Sequence, residues 1–234
     1  MISLHTLFSS LALAGTVPQS FSHLKKIDIG GEATLYVEPS VSCTPVDITA
    51  HQDGETGYDG PPVYDVCILD FGKTKVKVSY SSGPSADPVF WLYPMPKKGS
   101  KSDGRPILEV LATTLYVPKG NNVYAEGWCN TMFNERRKYT YNGTKFIEAK
   151  QPYLYVGMKT TVQPLGSDKK PLVLYADKTK KSRVATLPVG SEIEVLIHEE
   201  KEWYLIRSSF GLVGWTQIPY GLYDTQIGVR FAGD

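Results

Sequence analysis

Apolar residues recur at every second position along much of this chain, the period of half-buried strands, and no long stretch keeps the 3.6-residue period of a helix. The cleanest case is Lys73 to Tyr80, with Thr74, Val76, Val78 and Tyr80 on one face and Lys73, Lys75, Lys77 and Ser79 on the other. The lysine side reads as solvated surface. Val63–Asp70, joined to it through Phe71-Gly72, predicts a partner strand, and Val89–Tyr93 a short aromatic strand closed by Pro94. Glu32–Glu38 predicts a first strand ended by Pro39. Ile107–Val117 fits one long strand or two short ones, and Tyr153–Gly157 and Lys159–Val162 add two more. Between them, Ser40–Pro62 and Pro96–Gly104 are dense in turn formers and read as loops. The Asn142-Gly143 pair within Arg136–Glu148 predicts a two-residue type I′ hairpin, because both central positions of that turn need positive φ. That register would set Tyr141 opposite Thr144 and Tyr139 opposite Phe146, and it describes sheet architecture, not a site.

Pro164–Pro171, short, polar and bracketed by prolines, is the best candidate for a linker. After it the pattern tightens. Leu172 and Leu174 point inward on an opening strand, Lys178–Ser182 make a turn, and Ile193, Val195 and Ile197 alternate with Glu192, Glu194 and Leu196. Glu199–Glu202 form a hairpin tip. Trp203 and Leu205 then alternate with Tyr204 and Ile206, and Val213 and Trp215 close the pattern. These short strands predict a small, partly open barrel, followed by Leu222–Phe231 as a returning edge strand.

The run Leu172-x-Leu-Tyr-Ala-Asp177, then Ser182-x-Val-Ala-x-Leu-x-x-Gly190-x-x-Ile-x-Val-Leu196, then Trp203-Tyr-Leu-Ile206 and Val213-Gly-Trp-Thr216 resembles the bacterial SH3-like (SH3b) domain family. The similarity covers Pro171 to Tyr220. It implies a small β-barrel found outside the cytoplasmic membrane, often attaching wall peptidases or amidases to cell-wall peptides. It also implies that Tyr175, Asp177, Trp203, Tyr204 and Trp215 frame a ligand groove. The chain departs from the family at Val173-Leu174-Tyr175, where an Asn-Val-Arg is usual, so the family's usual anchoring of the first loop is not expected here. Both tryptophans also suit a small core, so Tyr204, on the face opposite Trp203, is the residue expected to reach solvent. In the other half, the Arg137-Lys-Tyr-x-Tyr-Asn-Gly-x-Lys-Phe146 hairpin resembles hairpins of uncharacterised secreted bacterial β proteins, which implies a lineage but no activity.

Composition narrows the partners. With 25 Lys and Arg against 24 Asp and Glu, the net charge is +1, so bulk electrostatics gives no reason to expect nucleic-acid binding. Arg136, Arg137, Lys138 and Lys145 do interleave with aromatics, a mixture suited to surface or to an anionic glycan. Residues 1–15 are apolar and small, end near Ala12-Leu13-Ala14, and read as a secretory signal peptide despite an n-region without Lys or Arg. No later run is apolar for long enough to form a membrane helix. Of the three cysteines, Cys43 and Cys67 would close a short turn-rich loop in an exported protein; three reduced thiols acting as small hydrophobes are the alternative.

Catalytic signatures are missing from the linear sequence. His5, His23, His51 and His198 lie in no metal-ligand spacing, there is no C-x-x-C, and the phosphate-loop spacing is absent, so neither a metal nor a cofactor is expected. Asp70-Phe71-Gly72 matches a kinase triplet in letters alone and reads as a strand end with a turn glycine. Asn142-Gly143-Thr144 matches a glycosylation acceptor that the hairpin already explains. A thiol hydrolase would have to bring Cys129 and His198 together across the halves, and a glycosidase would need two carboxylates paired in space.

The expectation is therefore an all-β protein: an antiparallel β domain over 24–163, an SH3-like barrel over 168–220 and a tail over 221–234. It would be non-catalytic and periplasmic or extracellular, binding peptidoglycan or another envelope protein. A wall hydrolase with its site in the first domain, or a plain scaffold, are the alternatives.

Overall fold

The computed structural model describes residues 18–29, 33–41, 43–45, 50–51, 61–70, 74–83, 87–95, 104–128, 131–199, 202–219 and 224–230. The expected signal at 1–15, Asp53–Gly60 and Cys129 lie outside the described residues. In chain order the first strands are β1 (Lys25–Asp28), β2 (Thr34–Val37), β3 (Cys43–Pro45), β4 (Ala50–His51), β5 (Val63–Asp70), β6 (Lys75–Ser81), β7 (Val89–Pro94) and β8 (Leu108–Leu111). Then come β9 (Thr114–Val117), β10 (Asn122–Gly127), β11 (Glu135–Tyr141) and β12 (Phe146–Glu148). The Ile107–Val117 stretch thus becomes two strands. The chain is all-β; among the described residues the one helical turn is a 3-10 turn at Gln19–Phe21.

Two sheets enclose the first core. One runs β1-β2-β9-β10-β11-β12, with β2 and β9 parallel and the other pairs antiparallel; the second runs β3-β5-β6-β7-β8, with β4 also on β5. Alternation decides which side chains meet between them. Leu35, Val37, Leu115, Val117 and Val123 come from the first sheet, and Leu69, Val76, Val78, Phe90 and Leu92 from the second, each at 2% exposure or less. Burying each such side chain contributes about 1.5–3 kcal/mol. Cys43 of β3 and Cys67 of β5 lie with Cα atoms 5.6 Å apart and are joined as a disulfide. A loop of this size contributes about 3 kcal/mol on the chain-entropy estimate.

Two features of this half depart from the sequence pattern. The lysine face of β6 is not simply solvated: Lys75 is exposed, but Lys77 donates to Asp65 at 3.0 Å and Ser79 donates to the same buried carboxylate at 2.6 Å. The Asn142-Gly143 hairpin pairs Tyr141 with Phe146, not with Thr144, and Tyr139 with Glu148. Gly143 has φ +98 while Asn142 does not enter the left-handed region, so no type I′ turn forms. Instead the Asn142 Oδ1 accepts from the N–H groups of Thr144 and Lys145, both at 3.0 Å, and widens the turn to four residues. The shift is by an even number, so Tyr139, Tyr141 and Phe146 keep a common face.

The second core is built on β13 (Tyr153–Thr161), β14 (Leu172–Tyr175), β15 (Arg183–Leu187), β16 (Glu192–Glu199), β17 (Trp203–Ser208) and β18 (Val213–Gln217). They form one open sheet in the order β13-β16-β17-β18-β14-β15. Among the described residues β13 and β15 do not pair, so no barrel closes. β13, expected in the first domain, gives its whole ladder to β16, with a bulge at Gly157. Pro164–Pro171 therefore connects two strands of one sheet, and Leu165 and Asp168 close it as a turn.

This core draws in residues from outside the sheet. Leu174, Val195 and Ile206 at its centre are joined by Phe133, from the β10–β11 connection, and by Ile227 and Val229, both fully buried. The described part of the tail, Asp224–Arg230, forms no strand. It curls at Gly228, φ +60, and holds on by single bonds: Met132 N–H to the Val229 carbonyl at 3.0 Å and Gln163 N–H to the Gln226 carbonyl at 2.8 Å. Burial of Ile227 and Val229 and the Arg230–Glu202 ion pair, not edge pairing, hold the tail.

Candidate functional site

A backbone irregularity determines which aromatic rings of the C-terminal sheet face out. Val195 pairs with Ile206, but the next pair is Ile197 with Leu205, so β16 spends one residue in a bulge and reverses its faces there. Tyr204 and Ile206 consequently point into the core, while Trp203 and Leu205 lie on the other side of the strand, where Trp203 is nonetheless buried, at 8% exposure, with Lys180 over its ring. On β18, Gly214 and Thr216 face inward and Val213, Trp215 and Gln217 outward. Only a glycine fits at 214, where a Cβ would stand 2.9 Å from both the Leu174 Cβ and the Tyr175 carbonyl oxygen. That close approach places Tyr175 directly opposite Trp215.

The outward face gathers Tyr175, Trp203, Leu205, Trp215 and Ile197, and β13 adds Tyr153 and Tyr155, 49% and 62% exposed. The Tyr155 ring folds across Gly157, where a Cβ would meet its atoms at 2.5–2.6 Å. Two lysines complete the surface. Lys178 Nζ stands 4.4 Å from the Trp215 ring centre and 5.9 Å from that of Tyr153, and it is ion-paired with Glu199. Lys180 Nζ stands 5.3 Å from the Trp203 ring and donates to Gln217 Oε1 at 2.8 Å. Each cation–ring contact is worth roughly 0.5–1 kcal/mol when exposed.

Asp177 shapes the turn that presents these lysines. Its Oδ1 accepts from the Thr179 N–H at 2.8 Å and the Thr179 hydroxyl at 2.5 Å, which holds its carboxyl below the ordinary range. Lys180 follows with φ +59. Of the residues expected at a groove, Tyr175, Trp203 and Trp215 therefore share one face and Asp177 borders it. Tyr204 does not belong: it is 1% exposed, and burial pushes its hydroxyl up to about 12. Tyr153, Tyr155, Lys178 and Lys180 join this face beyond the residues expected there. The two-residue spacing of the tyrosines carried the signal, but their strand was assigned to the wrong sheet.

The other chemical candidates resolve into structure. His198 stacks on Tyr204, ring centres 4.7 Å apart, and meets Phe133 edge-on at 6.1 Å; Cys129 lies outside the described residues. The basic cluster is split between faces and engaged: Arg136 bonds the buried Glu126 at 2.8 Å, Arg137 pairs with Glu135, and Lys138 lies 5.9 Å from the Tyr124 ring. A cavity of about 180 Å3 beside Trp128, Glu135 and Arg137 is small. Among the described residues no group of three His, Cys, Asp or Glu side chains could hold a metal ion, and no described helix is long and apolar enough to cross a membrane. The outer face offers rings, ammonium groups and amides. Such groups can stack on a ligand and hydrogen-bond to it.

His198 supplies a pH dependence. Burial lowers its pKa below 6.5, reinforced by Arg230 and opposed by Glu135 and Glu199, and the Tyr204 ring stacks on it. The unfolded chain then binds the extra proton first, so this contribution is intact above about pH 6.5 and is lost as pH falls toward the depressed pKa. Urea midpoints are expected to drop between neutral pH and pH 5, and His198→Phe to flatten that slope. An unchanged slope in His198→Phe would assign the acid sensitivity elsewhere.

Compared with known proteins, the chain matches no protein-family model, no curated protein and no solved structure.

Proposed function

We propose that this is a non-catalytic, exported binding protein whose C-terminal sheet is an SH3-like module that docks cell-envelope material, a wall peptide or glycan, or another envelope protein. The observation that carries this is the aromatic outer face, where Tyr153, Tyr155, Tyr175 and Trp215 lie beside Lys178 and Lys180. Rings supply stacking area at little entropic cost, and the ammonium groups and Gln217 supply orientation. Export is supported by the Cys43–Cys67 bond, since such bonds persist in oxidising compartments.

Retention of the purified protein on isolated cell wall tests the reading. The double variant Tyr153→Ala/Tyr155→Ala removes the two most exposed rings of this face and is expected to weaken retention about tenfold or more, a loss near 1.4 kcal/mol, with unfolding unchanged. Native protein retained no better than the variant would discard envelope binding by this face and leave the sheet a scaffold.

A further inference from the structure

The tip joining β17 to β18 carries the most exposed large apolar side chain among the described residues. Phe210 is 89% exposed, with Leu212 at 41% and Val213 at 43% beside it. The tip is firmly held. Ser208 N–H donates to the Leu212 carbonyl at 2.9 Å, Leu212 N–H to the Ser208 hydroxyl oxygen at 3.0 Å, and Gly211 N–H to the Ser208 carbonyl at 2.9 Å. Gly211 takes the left-handed conformation, φ +94, that the turn requires. A ring presented this rigidly loses little conformational freedom on docking.

Beside the tip an open cleft of about 670 Å3 is lined by Lys159, Thr161, Glu192, Glu194 and Arg207, with Ser208–Gly211 as one wall. We propose that this surface is self-complementary and pairs two copies of the chain about a two-fold axis, each Phe210 entering the other's cleft.

Two observations select a second copy as the occupant. An isologous contact requires knob and hole on the same patch, and here they share a wall. The floor's charges also cancel: Lys159 and Arg207 stand against Glu192 and Glu194, with Arg207 already paired to Glu194. A polyanion or polycation gains nothing from such a floor, whereas an identical floor meets it without net repulsion. The patch lies on the same outward side of the sheet but at its other end, and it includes none of Tyr153, Tyr155, Tyr175, Trp215, Lys178 and Lys180.

Light scattering on the eluting protein across a rising concentration series tests this. The mass is expected to move from one chain to two. Phe210→Ser, at a solvent-exposed position, and Thr161→Trp, which fills the cleft, are each expected to hold it at one chain, with thermal unfolding confirming that both variants fold. A native chain that stays monomeric to its solubility limit overturns the proposal, and so does a dimer that persists in Phe210→Ser. A dimer lost in Phe210→Ser but kept in a folded Thr161→Trp overturns the cleft as its seat.

Discussion

Tyr204→Ala is expected to destabilise the C-terminal unit by roughly 3–5 kcal/mol, the range for emptying a buried aromatic site. The ring is 1% exposed, stacks on His198 at 4.7 Å and lies in the same core as Leu174, Val195 and Ile206. Its hydroxyl hydrogen-bonds with Arg230, so Tyr204→Phe, which keeps the ring, should cost less, about 1.5–3 kcal/mol for a hydrogen bond to a charged group. Tyr175→Ala, on the opposite and half-open face, should change stability far less. Urea unfolding followed by tryptophan fluorescence separates the three. If Tyr204→Ala unfolds at the native midpoint yet loses retention on cell wall, the ring belongs to a groove and the core assignment fails.

Tyr204 also shows what a sequence can and cannot carry. Strict alternation through Trp203-Tyr204-Leu205-Ile206 correctly says that two faces exist. Which face is buried depends on the register with β16, and that register slips by one residue between Val195 and Ile197. A bulge of this kind has no composition of its own, so period-two reasoning carried past it assigns the wrong face. The same limit explains β13. Tyr153 to Thr161 reads well as strand, but its partner lies beyond Pro164–Pro171, and proline brackets look alike around a domain linker and a loop within one sheet. At Asn142-Gly143 the turn was legible and its type was not, because the Asn142 side chain accepts from the Thr144 N–H that a type I′ turn would give to the Tyr141 carbonyl. Conversely, the β6 core face and the inward Leu172 and Leu174 were legible because short-range alternation alone decides them.

The tail provides the second large effect. Arg230→Leu is expected to cost about 3–5 kcal/mol, because it leaves the Glu202 carboxylate charged in a buried setting. The two side chains are ion-paired at 16% and 11% exposure, and the second carboxylate oxygen of Glu202 is buried without a hydrogen bond among the described residues. Glu202 itself is fixed by its backbone, with φ +65 and its carbonyl accepting from Ile218 at 3.0 Å, so it cannot follow the departing partner outward. The pair matters beyond its own energy because Arg230 directly follows Val229, which is fully buried, as is Ile227. Once the arginine is gone, releasing the tail becomes the cheapest way to hydrate Glu202, and that release uncovers both side chains. Two measurements follow. Limited proteolysis should cut Arg230→Leu within the tail before the native chain is cut at all. The double variant Arg230→Leu/Glu202→Leu should recover most of the lost stability, since an apolar pair of similar volume carries no desolvation penalty. A double variant as unstable as Arg230→Leu alone would mean that the tail is held by the packing of Ile227 and Val229 and that the charge pair is incidental.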